Sequence, residues 1–123
     1  MAKILVIDDD AIVRETVAQV LEVSGHKVLS AEDGRRGVAA FHSELPDLVI
    51  TDIIMPEQEG IQTITEIRRI APGAKIIAIS GGGRIGNVDF LKMARHLGAS
   101  DVIAKPFDPD ELASRVDRCL AAR

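Results

Sequence analysis

A doubly wound α/β sandwich, with helices on both faces of a parallel sheet, is the fold class predicted here, and three observations lead to it. Five short apolar runs begin near Lys3, Lys27, Leu48, Lys75 and Asp101. Their starts lie roughly 21–27 residues apart, the length of one strand and one helix. The runs are nearly continuous in Val, Ile, Leu and Ala, which suits strands buried on both faces. Parallel strands need crossovers, and these are almost always right-handed and lay helices across both faces of the sheet.

The elements follow in order. The first strand, Ile4-Leu5-Val6-Ile7, runs into Asp8-Asp9-Asp10. Asp10 is expected to cap the helix that follows. There Val13, Val17, Val20 and Leu21 fall at i, i+4, i+7 and i+8, one face of a helix. Gly25 can take the left-handed conformation that ends it. Asp33 is expected to cap a second helix, which fades by Pro46. A third carries Ile61, Ile64, Ile67 and Ile70 and stops before Pro72. From Ser80 to Asn87 the pattern breaks, because Gly81, Gly82, Gly83 and Gly86 each weaken a helix by about 1 kcal/mol relative to Ala. A further helix is expected from near Asn87 to Gly98. The last helix has the clearest start: Asp108 as N-cap, Pro109 in the first turn and Glu111 closing a capping box. Leu112, Val116, Cys119 and Leu120 form its buried face.

Size and composition narrow the function. At 123 residues the chain is expected to be one domain over 1–123, with no linker or low-complexity segment. Hydrophobic residues at 46% and charged residues at 28% fit a globular protein rather than a disordered tail. A formal net charge of −4 argues against direct nucleic-acid binding, which needs clustered Lys and Arg. No apolar run approaches the roughly 18 residues of a membrane span. Met1-Ala2-Lys3 leads straight into a strand without a signal-peptide layout, so a cytoplasmic location is expected. A single cysteine, Cys119, excludes an internal disulfide, and its helix-face spacing places it in the core. His26, His42 and His96 are scattered and expected to be solvated.

The chemistry gathers at strand ends. Asp8 and Asp9 end the first run, Asp52 the run Leu48-Val49-Ile50-Thr51, Ser80 the run from Lys75, and Lys105 the run Val102-Ile103-Ala104. In an open parallel sheet these ends share one edge, where ligands bind. Carboxylate oxygens with waters suit Mg2+. An Asp is a known nucleophile in phosphoryl chemistry. A phosphoryl group carries charge on three oxygens, so its transfer depends mainly on positioning and charge neutralisation. Mg2+, Lys105 and the Ser80 hydroxyl supply one partner for each oxygen.

These residues resemble the receiver domain of two-component response regulators over essentially the whole chain. Val6-Ile7-Asp8-Asp9, then Asp52-Ile53-Ile54-Met55-Pro56 with Gly60 four positions later, Ser80, and Lys105-Pro106-Phe107 carry the likeness. Each motif alone is weak, but together and in order they are specific. The resemblance implies a flavodoxin-like (βα)5 fold with strand order 2-1-3-4-5. It implies that Asp52 is the phosphoacceptor, that Asp9 binds Mg2+ directly, and that Asp8 acts through water. Asp52 would also be a metal ligand and the Ile54 carbonyl the third protein ligand, while Ser80 and Lys105 would bind the phosphoryl group. The implied donor is a sensor histidine kinase or a histidine phosphotransfer protein, and the implied role is a switch acting on an output partner that the sequence does not name. Such a switch catalyses only its own phosphorylation and dephosphorylation.

The chain departs from the family pattern at two places. Val102 stands where an aromatic ring usually reports phosphorylation, and Gly81 follows Ser80 where Ala is usual. Switching is therefore expected to run through the Gly81-Gly82-Gly83 loop and the start of the next helix. The Lys105-Pro106 bond is expected to be cis. Two other readings fit some of the residues. A haloacid-dehalogenase-like phosphatase would use Asp8-x-Asp10, but it would leave Asp52 without a role. A pseudo-receiver, a pure interaction module, usually lacks one of the acidic, hydroxyl or Lys positions, all present here.

Overall fold

The computed structural model describes residues 2–53, 59–80, 96, 98–105 and 107–122, with the backbone alone at Glu59 and Ser80. Five strands, β1 (Lys3–Ile7), β2 (Lys27–Ala31), β3 (Leu48–Asp52), β4 (Ile76–Ser80) and β5 (Asp101–Ala104), form one sheet in the order β2-β1-β3-β4-β5. Every pairing is parallel. The described helices are α1 (Ala11–Val23), α2 (Gly34–Glu44), α3 (Glu59–Ile70) and α4 (Pro109–Ala121). The expected fold class and strand order are both observed.

Two apolar layers explain why the strands read as continuous hydrophobic runs. Ile4, Val6, Leu48, Ile50, Ile77 and Ile79 pack with Val17, Leu21, Leu112 and Val116 of α1 and α4. Leu5, Ile7, Val49, Ile76 and Ala78 pack on the other face with Phe41, Ile64 and Ile67 of α2 and α3. Successive strand residues point to opposite faces, so a strand covered on both sides is apolar at every position. The edge strand β2 is less buried, and there Lys27 and Ser30 are exposed.

The local signals act largely as expected. Asp10 caps α1 by accepting the Ile12 amide at 2.9 Å, and Asp33 caps α2 through the Arg36 amide at 2.8 Å. Gly25 sits at φ +92°, where a side chain is strained, and its amide bonds back to the Glu22 carbonyl at 2.9 Å. Cys119 is buried, as its spacing implied, and burial raises its thiol pKa. Strand β4 begins within one residue of its expected start, at Ile76. Two expectations need correction. Asp108 caps α4 through the Asp110 amide at 2.7 Å, while Glu111 pairs with Arg115 at 3.2 Å in place of a reciprocal capping box. His26 is not solvated: its side chain is only 10% exposed, and its Nδ1 accepts the Ala2 amide at 3.1 Å. For Glu111 the competing partner lies one turn along its own helix, whereas for His26 it lies 24 positions away in the chain.

The Gly81–Gly86 loop and the Lys105-Pro106 bond lie outside the described residues. So do Ile54 and nearly all of the helix expected from Asn87 to Gly98.

Candidate phosphoacceptor and metal site

Parallel register brings the acidic strand ends together. β1 lies between β2 and β3, with Ile7 opposite Thr51, so Asp8 and Asp52 leave the sheet side by side. Both are nearly fully buried, at 1% and 4% exposure. Lys105 follows β5 and reaches across β4 to both of them. Its Nζ lies 3.0 Å from Asp8 Oδ2 and 3.1 Å from Asp52 Oδ2. Burial by itself would lower the Lys105 pKa. The charges of Asp52 and Asp8, and their hydrogen bonds, outweigh that effect and hold the ammonium above its ordinary 10.5.

Asp9 completes the cluster from the exposed side. One carboxylate oxygen each from Asp8, Asp9 and Asp52 lies within 4.8 Å of the others. Three carboxylates against one ammonium leave excess negative charge in a partly dry site. All the donors are hard oxygens, which suits Mg2+ better than a softer transition metal. Asp8 is already occupied on both oxygens, since Oδ1 accepts the Asp10 amide at 2.9 Å and Oδ2 takes Lys105. Asp9 has no hydrogen-bond or ion-pair partner among the described residues, so its carboxylate is available to a cation.

The start of α3 presses on the same edge. A Cβ placed on Gly60 would overlap the Asp52 carbonyl and lie 2.5 Å from Ile53 Cα. Only glycine lets the helix approach the strand end that carries Asp52. Of the residues picked out from the sequence, Asp8, Asp9, Asp52 and Lys105 come together. The Ser80 backbone ends β4 beside Ala104, its partner in register, but the Ser80 side chain and Ile54 lie outside what is described. Sequence reasoning passed over Arg14, whose Nη1 donates to the Asp8 carbonyl at 2.6 Å. A signal existed, because a cation in the first turn of a helix opposes the helix dipole.

Comparison with known proteins places this geometry. A family model described as the response regulator receiver domain matches residues 4–117. The chain belongs to the response regulator receiver family. The receiver is 37% identical over 121 residues to the probable transcriptional regulator ycf27 of Galdieria sulphuraria, covering 98% of this chain and 46% of that protein. It is 35% identical over 119 residues to the chemotaxis protein CheY of Bacillus subtilis, covering 96% of this chain and 97% of that one. The chain thus spans about half the length of the ycf27 relatives it matches. The crystal structure of the receiver domain of NtrX from Brucella abortus superposes with a TM-score of 0.90 at 34% identity, over 98% of this chain and 99% of that one. Receivers of this family are signalling switches of two-component systems, and the acidic group Asp8, Asp9 and Asp52 fits metal binding in that setting.

Proposed function

We propose that residues 1–123 form one receiver domain that accepts a phosphoryl group onto Asp52. The donor in this reading is the phosphohistidine of a sensor histidine kinase or a histidine phosphotransfer protein. An Asp52 carboxylate oxygen attacks phosphorus and the P–N bond breaks. The imidazole nitrogen keeps the bonding pair and takes up a proton, leaving an acyl phosphate on Asp52. One observation carries the reading: Lys105 Nζ lies 3.1 Å from Asp52 Oδ2, beside a carboxylate cluster open to a cation through Asp9.

Each residue then has a distinct task. Asp52 is the nucleophile. Lys105 holds the Asp52 carboxylate in place and then partners a phosphoryl oxygen, with the Ser80 hydroxyl partnering another. Asp9 and Asp52 would hold Mg2+ directly and Asp8 through water, with the Ile54 carbonyl as the third protein ligand. When bound, the divalent cation neutralises the charge that the incoming phosphoryl group adds to the site. The acyl phosphate changes affinity for an output partner, and catalysis is confined to its own formation and hydrolysis. A cytoplasmic setting belongs with this reading, since phosphohistidine donors are made from ATP. Among the described residues, no helix is long and apolar enough to cross a membrane.

The phosphatase reading loses its support here. Asp10 is an exposed N-cap engaged with the Ile12 amide, whereas Asp52 is buried against Lys105. Acetyl phosphate with Mg2+ tests the proposal. Intact mass should show one added phosphoryl group, lost with EDTA or in Asp52→Asn. Undiminished labelling of Asp52→Asn would refute the assignment, and absence of any labelling would favour a pseudo-receiver.

A further inference from the structure

We propose that Arg14 is a positioning residue for Asp9, and that it sets the affinity of the acidic site for Mg2+. The inference rests on the metal-binding part of the reading above and concerns a residue outside the family motifs quoted for this chain.

The argument starts from an oddity. Helix N-termini favour acidic side chains, yet α1 has none in its first turn, and Arg14 stands just inside it. Side chains on a helix lean toward its N-terminus, so the guanidinium swings back over the cap. It reaches the Asp8 carbonyl at 2.6 Å, a part-buried and charge-assisted contact across six residues. Among the described residues it forms no ion pair with a carboxylate.

The target atom explains the placement. The Asp8 carbonyl belongs to the same planar peptide unit as the Asp9 amide, so holding that oxygen fixes the plane that precedes Asp9. The plane that follows Asp9 contains the Asp10 amide, which donates to Asp8 Oδ1 at 2.9 Å. The Asp8 amide is itself tied to the Ala31 carbonyl at 3.2 Å. Asp9 therefore has an exposed carboxylate, unpartnered among the described residues, on a backbone gripped from both sides. Such a side chain stays available to a cation while its Cα–Cβ direction is set in advance. Residues that orient a metal ligand typically change affinity by 10–100-fold when removed.

A competing physical effect makes the test sharp. Arg14 is also a positive charge near a cation site, and charge repulsion alone would make its removal tighten Mg2+ binding. Arg14→Met keeps the apolar stem and drops the donors, Arg14→Ala drops both, and Arg14→Lys restores a single charged donor. Mg2+ titration without a phosphodonor, followed by the amide resonances of Asp9 and Asp10, should show about tenfold weaker binding in the Met and Ala variants. Arg14→Lys should recover part of the loss. Affinity equal to or tighter than wild type in folded Arg14→Met or Arg14→Ala would overturn the proposal. Absence of Asp52 labelling in wild type would instead sink the phosphoacceptor reading, while the titration still decides the role of Arg14.

Discussion

The two edges of the sheet solve the same problem in opposite ways. At the amino edge several polar groups find partners that leave little charge over. Asp47 accepts the Lys3 amide at 2.8 Å, and His26 takes the Ala2 amide. Lys75 donates to the Leu120 and Ala122 carbonyls at 2.8 and 2.7 Å, where the last turn of α4 has no amides of its own to offer. At the carboxyl edge, Asp8 and Asp52 are buried and share one ammonium, with Asp9 beside them. A cavity of about 700 Å3, lined in part by His26, Phe41 and Lys75, opens at the amino edge, the one without the chemistry. Unbalanced charge, more than open volume, distinguishes a reacting edge from a structural one.

That contrast is most directly broken by changing the charge count. In Mg2+-free buffer, Lys105→Met should lose roughly 3 kcal/mol in urea unfolding, because it strands two buried carboxylates. Asp52→Asn should lose far less or gain, since it relieves repulsion and keeps the Asp8–Lys105 pair. Losses of equal size in the two variants would show that the edge is not charge-strained. The same lysine sets a pH dependence. Its folded pKa is raised, so its contribution is fully present below the unfolded value of 10.5 and falls as pH rises through the folded one. The stability gap between wild type and Lys105→Met should hold from neutral pH and shrink only above about 10.5.

Adding metal is the next largest perturbation. Mg2+ at a hundred times its Kd should stabilise wild type by about 2.7 kcal/mol. The increment should vanish in Asp9→Asn and survive intact in Lys75→Met. Thermal melts with and without EDTA would show it, and an increment in Asp9→Asn equal to wild type would remove Asp9 from the ligand set.

Changes at the amino edge should affect stability alone. Lys75→Met should lower it by about 1.5 kcal/mol, the lower end for hydrogen bonds from a charged donor, with Asp52 labelling unchanged. Altered labelling would mean that the edges are coupled. The smallest effect belongs to Leu45, 68% exposed and left-handed at φ +47° at the end of α2. Leu45→Gly should relieve strain and raise stability by less than about 1 kcal/mol, with the entropy of a glycine offsetting part of the gain. A clear loss on urea unfolding would show that the leucine packs more than its exposure implies.

Repeating local chemistry made much of this protein legible from its residues alone. Strands buried on both faces are apolar at nearly every position, so the central runs stood out, and the edge strands followed from the regular spacing. Asp10, Asp33 and Asp108 mark helix starts because a short acidic side chain reaches amides only two or three residues ahead. The grouping of Asp8, Asp9, Asp52 and Lys105 followed from topology, since strand ends in a parallel sheet share an edge. The tertiary structure decided what depends on distance across the chain. Lys105 meets Asp8 from 97 positions away, Lys75 caps a helix 45 residues on, and His26 accepts the Ala2 amide from 24 positions back. Arg14 is the intermediate case: its position in α1 could be read from the sequence, but not the carbonyl it holds. A side chain's partner is set by packing in three dimensions, and a linear pattern reports only the partners that recur at fixed spacing.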